Sequence, residues 1–111
     1  MPLSIKEEQV DYEGGKVRLN VLELENAILV FFNRDKFRLG TVAVALPMEK
    51  TVTSSILLGG KYLLSSRAIA ERAAAIYGKM VLASVNVELS EAETIRLASS
   101  LLERLASRKS Q

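Results

Sequence analysis

Residues 54–66 read "SSILLGGKYLLSS", with two glycines and a lysine between an apolar run and a serine pair able to open a helix. Phosphate-binding loops often look like this, because glycine amides and a lysine together cradle anionic oxygens. The full pattern, however, requires glycine at 55 and serine or threonine at 62, where Ser55 and Tyr62 stand. The "LLGG" of the same stretch fits the tail of a ubiquitin-like modifier only at a chain end, and here the chain continues past Gly60. The chain has no histidine and no cysteine. The commonest general base, the commonest metal ligand and the thiol nucleophile are thus absent together. No serine sits in a G-x-S-x-G elbow, and the only aspartates, Asp11 and Asp35, are far apart in sequence with no metal-ligand spacing around them. No catalytic residue, metal ligand or cofactor site is expected, and the reading is of a protein without enzymatic activity.

The tightest cluster of charge is Arg34, Lys36 and Arg38 around Phe37. Cations interleaved with an aromatic suit phosphate contact with base stacking, a charged rim that meets an acidic protein partner, or a solvated loop. Across the chain 15 basic residues face 13 acidic ones, a net charge of +2, so nucleic acid is the weaker of the first two readings. Hydrophobic residues at 49% and charged ones at 25% describe a globular chain, and 111 residues give room for one domain, 1–111. No stretch approaches the roughly 18 apolar residues of a membrane span, and no leader pattern opens the chain, so a cytoplasmic location is expected.

The elements that must position these residues follow from periodicity. "LSIKEEQVDY" reads as a strand, and "EGG" supplies the positive φ angles of a hairpin turn. "KVRLNV" alternates, with Val17, Leu19 and Val21 on one face; the phase slips at Leu22 and Leu24, which predicts either a bulge or a change in which face is covered. "AILVFFN" and "TVAVALP" complete four strands read as a meander, and residues 51–58 form a fifth. "SSRAIAERAAAIYG" predicts a helix capped by Ser65 or Ser66 and stopped at Gly78. "KMVLASVNVEL" is a strand, and "SEAE" from Ser90 to Glu93 a capping box opening a helix to about Ser107, with 108–111 a frayed tail. The expected fold is α+β: a largely antiparallel sheet of about six strands, in the order β-β-β-β-β-α-β-α, with both helices on one face.

Both faces of "AILVFF" and "TVAVAL" are apolar, and such strands need cover on both sides. Two helices on one face leave the other bare. At about 25 cal/mol per Å2, hiding roughly 400 Å2 on each of two partners gives on the order of 20 kcal/mol, above association costs of about 4–15 kcal/mol. The second face is therefore expected to dimerise, with another copy or a paralogue, unless loops and the N-terminal strand of the same chain fold over it. Ile28, Val30 and Phe32, with Val42 and Val44, are the residues assigned to that interface, and Arg34, Lys36, Phe37 and Arg38 to partner contact.

The stretches "VRLNVLELENAILVFF", "LGTVAVALP" and, above all, "SSILLG" followed by "SSRAIAERAAAIYGKMVLASVNV" resemble the small proteasome assembly chaperones of the third and fourth types, most closely the fourth, from Lys16 to Arg104. The resemblance implies a small sheet flanked by helices, dimers formed through the sheets, and transient, non-enzymatic binding of proteasome α-subunits during 20S α-ring assembly. The closing Lys109-Ser110-Gln111 has serine where tail-docking relatives carry tyrosine, so no tail docking is expected. Abundant Glu, Lys and Arg without Cys or His suits an archaeal homologue. Two alternatives stay open on the residues alone: a small nucleic-acid-binding protein using the basic turn 34–38, and a small dimeric interaction scaffold.

Overall fold

The computed structural model describes residues 4–109. Strands β1 (Ser4–Tyr12) and β2 (Gly15–Glu23) form an antiparallel hairpin in unbroken register from Ser4 opposite Glu23 to Tyr12 opposite Gly15. Its two-residue turn has φ 46° at Glu13 and 81° at Gly14, the double positive φ that matches the twist of the flanking strands. Strand β3 (Ala27–Arg34) pairs antiparallel with β2, again without a register shift at Leu22. The phase slip at Leu22 is therefore a change in which face carries apolar residues, and no bulge interrupts β2.

Then come β4 (Thr41–Pro47), β5 (Val52–Leu58), helix α1 (Leu63–Tyr77), β6 (Met80–Asn86) and helix α2 (Glu91–Lys109), the element order expected from the sequence. Both helices run longer than expected: α1 begins at Leu63, before the serine pair, and α2 runs to Lys109, past the Ser107 expected, while Ser110 and Gln111 of the expected tail lie outside the described residues. The sheet order is β1-β2-β3-β6-β4-β5. A meander would place β4 beside β3; instead β6 inserts between them, parallel to β3 and antiparallel to β4, and the sheet is mixed. Periodicity identifies a strand but not its neighbour, and β6 earns the middle by being apolar on both faces, with Val81, Ala83 and Val85 on one and Leu82 on the other. The connection from β3 must consequently pass over the end of β6. At Gly40 the backbone comes so close that a Cβ there would lie 1.9 Å from the Val85 carbonyl oxygen.

Both helices lie on one face. Helix α1 buries Ser65, Ser66, Ile69, Ala70, Ala73, Ala74 and Tyr77, two neighbouring columns at four-residue spacing made mostly of small side chains. It packs on β4 and β6, whose facing residues include Ala43, Ala45 and Ala83, so small residues meet small ones and helix and sheet approach closely. Helix α2 lies along α1 and over β1 and β2, bringing Leu97, Leu101, Leu102 and Leu105 to a core that includes Val17, Leu19 and Val21.

The α1 cap differs from the serine cap expected. The N-cap is Tyr62, in the left-handed region at φ 56°, and no side chain of its own caps the helix. The Glu91 carboxylate at the start of α2 instead accepts the Leu64 and Ser65 amides at 2.8 and 2.9 Å, so one helix start caps the other. At α2 itself the Glu93 amide donates to Ser90 Oγ at 3.1 Å, as a capping box requires. The reciprocal half is replaced, because the Glu93 carboxylate is held by Arg96 and Tyr12. The Gly78 stop holds, with φ 66° and its amide on the Ala74 carbonyl at 2.8 Å.

Candidate functional site

Residues directly opposite one another on neighbouring strands share a face. The row Val30, Ala83, Ala43 and the row Ile28, Val81, Ala45 lie under the helices and belong to the core. The alternate rows form the other face: Ile5, Leu22, Leu29, Leu82 and Val44 across β1, β2, β3, β6 and β4, and beside it Glu7, Asn20, Phe31, Ser84 and Val42. Among the described residues no helix covers this face. Its first row is apolar across five strands.

The five residues assigned to a dimer interface are thus divided. Ile28, Val30 and Phe32, at 0%, 1% and 0% exposure, are in the core of the chain itself, against the helices, and have no surface to offer a partner. Val44 is half-buried on the open face; Val42 is on the same face but is itself buried, at 9% exposure, in the depression that Leu39 lines. The correction has a simple cause: "AILVFF" is apolar on both sides, so alternation gives the two sets without saying which the helices take. Leu29 and Phe31, the other set of that alternation, complete the open face together with Leu22 and Leu82; the phase slip at Leu22 is the sequence signal for Leu22, and Leu82 has none of its own.

The connection 35–40 joins this face. Phe37 packs edge-on against Phe31, with ring centroids 5.7 Å apart, and Leu39 lines a depression of about 240 Å3 with Leu29, Phe31, Val42, Leu82 and Ser84. Both stay open to solvent, Phe37 61% and Leu39 67% exposed. Asn33 Nδ2 donates to the Arg38 carbonyl at 2.8 Å, and the Gly40 amide to Ser84 Oγ at 2.9 Å, which fixes how the connection crosses the sheet end. Asp35, at φ 61°, accepts the Lys16 amide on its carboxylate at 3.0 Å.

The predicted contact turn is divided as well. Arg34 lies over the Tyr12 ring, 5.6 Å from its centroid, and with Lys36 and Arg38 lines a crevice of about 460 Å3 at the sheet end. Asp35, Asn86 and Glu88 line the same crevice, so the three cations share it with two carboxylates and it is no uniformly positive track. Phe37 goes the other way, onto the apolar face.

Behind Arg34 the helix side is tied by charge. The Tyr12 hydroxyl donates to Glu93 at 2.9 Å, and Arg96 makes two bonds of 2.8 Å to the same carboxylate. The Arg96 guanidinium, with the Tyr12 hydroxyl, holds the Glu93 carboxyl down to about 2, and the bond to Glu93 pushes the Tyr12 hydroxyl up. Burial works against the charge on Glu91, yet the hydrogen bonds it receives from Ser65 and the Leu64 amide prevail and hold its carboxyl below the ordinary value. Among the described residues no cluster of acidic side chains could hold a metal ion, and no helix is long and apolar enough to cross a membrane.

What these features define is a fold class: a six-stranded mixed sheet with two helices on one face and an apolar strip across the other. The same fold occurs in a chain from the crystal structure of a novel chaperone complex for yeast 20S proteasome assembly, with a TM-score of 0.70 at 12% identity over 96% of this chain and 98% of that one. No family model and no curated sequence matches the chain.

Proposed function

We propose that this chain is a non-enzymatic assembly chaperone that dimerises through its open sheet face and binds proteasome α-subunits during 20S α-ring assembly, as the chaperones of the third and fourth types do. The observation that carries this is the correspondence along nearly the whole of both chains to a component of a proteasome-assembly chaperone complex. The uncovered row Ile5, Leu22, Leu29, Leu82, Val44 supports the dimer, since a soluble chain seldom leaves so continuous an apolar strip to water. Arg34, Lys36 and Arg38 are candidates for contact with an acidic patch of the α-subunit, while Phe37 and Leu39 extend the dimer face. An archaeal homologue working in the cytoplasm is the setting this reading assumes.

The test is retention of purified proteasome α-subunits on the immobilised chain. Capture of α-subunits, weakened when Arg34, Lys36 and Arg38 are changed to glutamate, is the expected result; no capture, or capture of nucleic acid alone, overturns it.

A further inference from the structure

The sheet has two outer strands, and they are built differently. Edge strand β1 is "SIKEEQVDY", with Lys6, Glu7, Glu8 and Asp11 along it. Arg108 from α2 makes an ion pair with Glu8 and donates to the Glu7 backbone carbonyl at 3.3 Å, so part of that outer backbone is already engaged. Charge and occupied backbone are what keep an edge from pairing with another chain. Edge strand β5 is "VTSSILL", seven residues with no charge and no proline. Thr53, Ser55 and Leu57 are exposed along it, and the neighbouring Leu46, Met48, Leu58, Leu63 and Leu64 are exposed as well. The one irregularity, a register shift against Val42 and Ala43, is confined to its last residues.

We propose that β5 is a homotypic contact distinct from the open face: two copies pair β5 to β5, antiparallel about Ser55, and continue one sheet into the next. The occupant is a second copy because the charges around this edge are self-complementary. Glu49 and Lys50 lie in the turn before β5 and Lys61 in the connection after it; pairing about Ser55 brings Glu49 of each copy toward Lys61 of the other and Lys50 toward the uncharged Gly60. On the helix side Arg67 Nε donates to Ser54 Oγ at 3.0 Å and Glu71 accepts from the same hydroxyl. One helical turn apart on antiparallel copies of α1, Arg67 of one copy comes toward Glu71 of the other. Along the strand itself Ser55 meets Ser55 and Ser54 meets Ile56, with no like charges opposed, and the register shift at Leu57 limits the regular pairing to this central part.

The chain has no cysteine, so every disulfide in a Ser55→Cys variant reports this position. Opposed residues in an antiparallel pair have Cα atoms about 4.5–5.5 Å apart, within the roughly 4.4–6.8 Å a disulfide spans. Ser55 stands opposite Val44, on the open face, so the experiment is done with Leu82→Arg to remove association through that face. Under mild oxidation Ser55→Cys is expected to form a covalent dimer faster than a Ser99→Cys control on the exposed side of α2. Thr53→Lys with Ser55→Lys, again with Leu82→Arg, is expected to halve the sedimenting mass at high protein concentration and leave the melting temperature in place. Cross-linking no faster than the control, or a mass unchanged by the lysines, overturns the proposal. Either result leaves the α-subunit reading untouched, because capture of α-subunits is measured separately.

Discussion

The two faces of the sheet are drawn from the same strands and much the same side chains, and they behave as different materials because of what lies on them. On the covered face, Leu19, Phe32, Val30 and Val81 meet Ile69, Ala73 and the leucines of α2 and are removed from water within one chain. On the open face, Leu22, Leu29, Leu82 and Val44 are only half-buried by their neighbours in the sheet, although the strands are equally apolar there. A core side chain stabilises the monomer. An open-face side chain keeps a part of its surface in water, and that part can be buried only by something outside the chain.

Truncation on the covered face is the severest way to break this contrast. Phe32→Ala removes a fully buried ring between β2 and β6, and a loss of about 3–5 kcal/mol is expected in denaturant unfolding, with little room for the small-residue layer under α1 to collapse into the cavity. Gly40→Ala comes next. It forces the crossing connection off the end of β6, since its Cβ would meet the Val85 carbonyl oxygen, and overpacking of this kind costs about 1–3 kcal/mol. It should also disturb Leu39 and Phe37, so the open face is altered through a backbone position outside it.

Leu82→Arg inverts the pattern. On the half-buried open face it should cost the monomer only the low end of the about 0.5–3 kcal/mol of ordinary substitutions, while a buried guanidinium at the centre of the strip abolishes association there. Sedimentation and unfolding, measured on the same variant, separate the two effects. A large loss of monomer stability with association intact would place Leu82 in the core and cancel the distinction between the faces.

The contrast also explains how far the sequence can be read. Element order, the Glu13-Gly14 turn and the Gly78 stop are written in local chemistry and are legible. The choice of face for Ile28, Val30 and Phe32 is not local: it depends on where the helices land, and "AILVFF" offers both sides equally. The position of β6 between β3 and β4 is a matter of pairing over some fifty residues, which periodicity does not encode. The cap of α1 is not legible at Ser65 or Ser66 because its acceptor, Glu91, is supplied from the next helix. Of the turn 34–38, the charges were legible as a cluster, but not the departure of Phe37 to the opposite side of the sheet.

The gentlest probe is acid. Glu93 ties the end of β1 to the start of α2 on the covered side, with its carboxyl lowered from 4.5 to about 2, first by Arg96 and then by Tyr12. A carboxyl that is more acidic folded than unfolded stabilises the fold above the unfolded value, and that contribution is lost as pH falls through the folded one. Melting temperature should therefore drop between about pH 4.5 and pH 2, and Glu93→Gln should flatten that part of the profile. Tyr12→Phe separates the causes: it removes the phenol bond and leaves the larger Arg96 interaction, so most of the acid step should survive. The two rows that define the open face carry only Glu7 as a titratable group, at the β1 edge, so dimerisation there should change less over the same range than the melting temperature does. Should association instead collapse in step with Glu93, the helix side and the open face would be coupled, and the separation of one face for folding and the other for assembly would fail.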